Sequence, residues 1–110
     1  MGYMRHHAIV LTCFNKESAD IVRAKAGEIG LDPSPLHHSV VNGYWSFWCP
    51  PDGSKEGWSE SDAGDARRSS FLQWLRNEGR ERYADWAEVQ YGDERGVALI
   101  TAHSDEDRDT

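Results

Sequence analysis

The sequence predicts an α+β fold: an antiparallel sheet with two helices on one face, in ferredoxin-like βαββαβ order with an extra C-terminal strand. Three observations predict it. An apolar strand-like run near the N-terminus leads directly into a capped helical period. An Asn-Gly dipeptide separates two further strand-like runs. A second helical period is followed by two more such runs around a Gly-bounded turn.

Arg5–Phe14 is apolar on both alternating sets, Ile9, Leu11 and Cys13 against Ala8, Val10 and Phe14, as expected of a central strand. Asn15 stands where an N-cap belongs, and Glu17 complements the dipole of the first turn. Ala19, Val22, Ala26 and Ile29 recur at helical spacing, and Gly30 followed by Pro33 ends the period, so a helix is predicted over Lys16–Ile29. Asn42-Gly43, between Leu36–Val41 and Tyr44–Cys49, predicts a hairpin closed by a type I′ turn. In its second strand Tyr44, Ser46 and Trp48 share one face, and Trp45, Phe47 and Cys49 the other.

Pro50-Pro51 ends the hairpin, and a polar segment without apolar period runs on to a helix predicted to start near Ser61 or Asp62. Phe71, Trp74, Leu75 and Glu78 mark successive turns of that helix, with Leu72 alongside, and it should end around Gly79. Asp85–Tyr91 and Val97–His103 then read as strands, and residues 105–110 as an acidic flexible tail after a single 1–104 domain.

Composition narrows function by exclusion. The chain has 110 residues, five of them Trp, and a net charge of −7. All of the surplus lies in the second half, because residues 1–50 carry four acids and four bases. General affinity for nucleic acid or anionic membrane needs a basic surface and is not expected. The longest apolar run, Ala8–Leu11, falls far short of the roughly 18 residues of a membrane span, and a cytoplasmic protein is expected. Cys13 and Cys49 form no metal or redox motif and read as buried thiols, and no cofactor is expected.

Five histidines occur as His6-His7, His37-His38 and His103 at strand ends. His37-His38-Ser39-Val40 fits one half of a two-histidine phosphoesterase pattern, whose second half is missing. Solvated or hydrogen-bonded strand-end histidines are the favoured reading. The stronger candidate is the loop Pro51–Trp58 with the helix that follows it. Ser54 and Lys55 supply a hydroxyl and a cation, Trp58 a stacking surface, and Arg67 or Arg68 a bidentate fork. Ser54, Lys55, Trp58, Arg67 and Arg68 are therefore the candidate ligand-binding residues, with a small nucleotide-like anion as ligand. The competing reading of the arginines is internal pairing with Glu60, Asp62, Asp65, Glu78 and Glu81.

The segments NGYWSF, PDGSKEGW, SDAGDARR and AEVQYGDE resemble small proteins encoded in bacteriophage and prophage genomes, over about Arg5 to Ser104. The resemblance brings no residue roles. It implies a context, an accessory or counter-defence factor in the host cytoplasm that binds or sequesters a host component. Three functions compete: a non-catalytic binding protein for a small anion, an acidic module blocking a host nucleic-acid-binding protein, and a histidine-dependent phosphoesterase. The apolar hairpin face also leads us to expect a homo-oligomer.

Overall fold

The computed structural model describes residues 5–53, 58–78, 84–92 and 96–104. The expectations for Ser54, Lys55, Gly79 and the 105–110 tail fall outside them.

The chain forms an α+β structure of one five-stranded antiparallel sheet and two helices: β1 (His6–Cys13), α1 (Lys16–Ile29), β2 (His37–His38), β3 (Trp45–Cys49), α2 (Ser59–Asn77), β4 (Ala84–Tyr91) and β5 (Leu99–His103). The strand order is β2-β3-β1-β4-β5. β1 is central, as its two apolar faces require, pairing β3 on one side (Leu11 with Phe47) and β4 on the other (Leu11 with Trp86).

α1 has the predicted bounds because both ends are written locally. The Ser18 N–H donates to Asn15 Oδ1 (2.8 Å). Gly30 takes a left-handed conformation (φ 103°), and the Leu31 N–H reaches back to the Ala26 carbonyl (3.0 Å), closing a Schellman motif.

The side chains of one sheet face and both helices merge into a single core. Ile9, Leu11, Cys13, Phe47, Cys49 and Trp86 come from the sheet; Ala19, Val22, Ala26, Phe71, Leu72 and Leu75 come from the helices. Both thiols are free and buried. Burial pushes Cys49 up to about 12; burial, with the Asp85 carboxylate adding to it, pushes Cys13 up to about 11.

Four expectations are corrected. The strand predicted over Leu36–Val41 shrinks to His37–His38, because Val40 and Val41, 101% and 92% exposed, find nothing to pack against. No two-residue turn forms at Asn42-Gly43. The Ser39 N–H donates to the Tyr44 carbonyl (2.9 Å), and Asn42 Oδ1 takes the Tyr44 N–H (2.9 Å), so side-chain bonding widens the loop. α2 starts at Ser59, two or three residues before the predicted Ser61 or Asp62: the Trp58 carbonyl accepts from the Ser61 (3.0 Å) and Asp62 (3.3 Å) N–H groups, and the Trp58 side chain makes no cap hydrogen bond. β5 starts at Leu99, two residues after Val97, and carries a bulge opposite Glu88/Val89. Thr101, the extra residue, donates its hydroxyl to Glu88 Oε1 (2.7 Å).

Candidate anion-binding clefts

α2 lies so that one of its stripes, Arg68, Leu72 and Arg76, runs along the sheet at i, i+4, i+8 spacing. Leu72 enters the core. The two arginines remain at its margin and meet what the sheet presents there.

Arg68 is the hub. Its guanidinium pairs with Asp65 one turn earlier on α2, and its Nε donates to Glu88 Oε2 on β4 (3.2 Å). The Arg68 and Glu88 side chains are only 12% and 13% exposed, so this pair spans the helix and sheet layers nearly out of water. Glu88 reaches this layer because it lies opposite Ile9 of β1, on the covered face. With the Thr101 hydroxyl, its carboxylate accepts from two side chains.

A cleft of about 380 Å³ opens beside this pair, lined by Arg5, His7, Asp65, Arg68, Ser69, Leu72, Arg76 and Glu88. Arg5 leads into β1 and Arg76 stands two turns beyond Arg68, so three guanidinium groups from separate positions share one wall system. Among the lining residues three guanidinium groups face two carboxylates, in a chain of net charge −7, and Arg5 and Arg76 each have a further partner. His7 Nε2–H donates to Gln90 Oε1 (3.2 Å), and the Arg76 guanidinium stands 5.5 Å above the Trp86 ring. Each guanidinium has five N–H donors, so one held on one edge still offers others.

A second cleft, of about 240 Å³, lies on the other side of Arg68, lined by Gly30, Leu31, Asp32, Cys49, Pro50, Pro51, Asp52, Gly64, Arg67 and Arg68. Of the residues singled out from sequence, it brings Arg67 and Arg68 together; Trp58, 52% exposed, lies at the start of α2 and is not in its lining. Arg67 has no ion-pair partner among the described residues. Asp32 and Asp52 balance the two arginines, so this cleft has no excess of either sign.

Arg5, Ser69 and Arg76 were not among the candidate ligand-binding residues, and His7 was read only as a strand-end histidine. The stripe at positions 68, 72 and 76 was a readable signal for Arg76, but Arg5 and His7 join it only through the sheet order.

The histidines do not converge. His6 and His7 begin β1 beside the end of β4, whereas His38 pairs with Trp45, which pairs with Cys13 at the other end of β1. Six residues of strand, about 20 Å, separate His7 from that end. His103 sits between, opposite Ala87. Among the described residues no group of three His, Cys, Asp or Glu side chains is placed to hold a metal ion. No described helix is long and apolar enough to cross a membrane. No family model, curated protein or solved structure matches this chain.

Proposed function

We propose that this protein is a non-catalytic binding protein for a small, nucleotide-like anion, and that the anion sits in the cleft between α2 and the neighbouring ends of β1 and β4. The observation that carries the reading is the convergence of Arg5, Arg68 and Arg76 on one cleft in an acidic chain. Planar guanidinium forks match phosphate and carboxylate oxygens bidentately. Ser69 adds a hydroxyl donor, and the volume of about 380 Å³ lies within the usual range for small-ligand sites. The Arg68–Glu88 pair holds the cleft floor in place without relying on the ligand.

Binding rather than turnover is favoured by the dispersal of the histidines along β1 and by two thiols held protonated in the core. The arrangement is read as ferredoxin-like with an added edge strand. β3 lies between β1 and β2, β4 flanks β1 on the other side, and β5 extends the edge beyond β4.

The test is untargeted. Purified protein is incubated with a bacterial cell extract, washed and denatured, and the released small molecules are identified by mass spectrometry. A phosphate- or carboxylate-bearing metabolite enriched over an Arg5→Gln/Arg76→Gln control is the expected result. Equal release from both proteins would overturn the assignment of the site, and release of nothing above blank would overturn the function.

A further inference from the structure

The helices cover only one face of the sheet. We infer that the opposite face is the interface of a homodimer, two copies packing sheet to sheet about a two-fold axis.

The alternation that buries Ile9, Leu11 and Cys13 puts Val10 and Thr12 on the uncovered side, with Ser46 and Trp48 of β3, Asp85, Ala87 and Val89 of β4, and Ile100 of β5. Registered rows cross this face: Trp48, Val10, Ala87 and His103 in one, and Ala8, Val89 and Ile100 in the next. Val10, Trp48 and Ile100 are 46%, 42% and 66% exposed. An aromatic pair closes each end, Phe14 on Tyr44 (5.0 Å) and His6 on Tyr91 (5.2 Å). A contiguous apolar surface of this kind marks an association site.

Two arguments commit it to a second copy. The first is charge. Of the chain's nineteen acids, Asp85, opposite Thr12, is the one among the residues named on this face, and it already has a partner. A nucleic acid or a strongly charged protein therefore finds no complement there, while two acidic chains can approach across this face with the least repulsion. Its polar groups are also largely settled: the Thr12 and Ser46 hydroxyls share a hydrogen bond of 2.8 Å, so a dry partner does not strand them. The second argument is area. The five strands, about 4.8 Å apart and of eight, two, five, eight and five residues, present roughly 450 Å². Two copies then bury roughly 900 Å² from the strands, to which the Phe14 and Tyr44 rings beyond the strand ends add, a small interface, and stacked twisted sheets pack face to face at about −30°.

Sedimentation velocity of the full chain tests this at about 100 μM. The expected species has twice the 12.5 kDa chain mass. Ile100→Glu, on an edge strand and outside the core, should weaken the dimer at least tenfold with an unchanged far-UV circular dichroism spectrum; Val10→Ser should do the same. A parent that sediments only at the chain mass overturns the inference. So does a dimer that survives both substitutions but dissociates with Leu99→Pro, which would indicate edge-to-edge pairing of β5. Monomer that pellets with uncharged phosphatidylcholine vesicles, or holds a different protein from extract, would give the face another occupant and also overturn it.

Discussion

Gly64 sits in the second turn of α2, where an alanine would ordinarily add helix stability of about 1 kcal/mol. Here the sign should reverse. A Cβ at Gly64 would lie 2.0 Å from Asp52 Oδ2 and 3.3 Å from its Cγ. The carboxylate would have to retreat by about 1.5 Å to reach ordinary contact. Asp52 is itself partnered, so retreat loses a charge-assisted contact of about 1.5–3 kcal/mol, with crowding added. After the helix gain is subtracted, Gly64→Ala should destabilise by about 1–3 kcal/mol, lowering the melting temperature by roughly 4–12 °C. Gly27→Ala in α1 is the control. Its Cβ would meet only Pro33 side-chain atoms at 4.0 Å, and it should stabilise by about 0.5–1 kcal/mol. Calorimetry of both variants decides. In an Asp52→Ala background the obstruction is gone, and Gly64→Ala should then stabilise as Gly27→Ala does. If Gly64→Ala melts at or above the parent with Asp52 intact, Asp52 does not rest on α2 and the geometry of the second cleft is wrong.

Other perturbations follow from the core and the buried pair. Glu88→Ala leaves Arg68 with Asp65 alone in a nearly dry layer, and should cost about 2–4 kcal/mol in urea unfolding. Ile9→Ala and Leu11→Ala empty core sites and should each cost about 2–5 kcal/mol by the same measurement. Folding raises both thiols from an ordinary 9.0 to about 11 and about 12. The stability they contribute is therefore complete below pH 9 and is lost as pH rises toward 11–12, so the urea midpoint should fall across that window. At pH 8 a thiol reagent should label neither cysteine until the protein unfolds; stoichiometric labelling of folded protein would contradict their placement in the core.

What was legible in the sequence was local. Asn15 and Gly30 bracket α1 because a cap and a left-handed closing residue act within a few positions of where they stand. The start of α2 was misplaced because Trp58 offers only its carbonyl there, and its side chain makes no cap hydrogen bond. The Asn42-Gly43 signal was real as a reversal but not as a hairpin turn, since side-chain bonding of Asn42 competed with the ladder. Arg68 was read among its helical neighbours, and Asp65 is indeed one partner. Its second partner, Glu88, lies twenty residues away and meets it only because β4 pairs with β1. The arginine cleft was hidden for the same reason: Arg5 and Arg76 are seventy-one positions apart and become neighbours through sheet order.

The claim that an anion occupies the arginine cleft is tested most directly by a ¹H–¹⁵N NMR titration with 5′-AMP as the probe, at low salt and again at about 0.3 M. Binding there should shift the amides of Arg5–His7 and of Ser69–Arg76, weaken at the higher salt, and fall at least tenfold in Arg5→Gln and in Arg76→Gln, as loss of a charge-assisted hydrogen bond of about 1–3 kcal/mol requires. No shift at millimolar probe, or shifts confined to Gly30, Pro51 and Arg67 around the second cleft, would contradict the account.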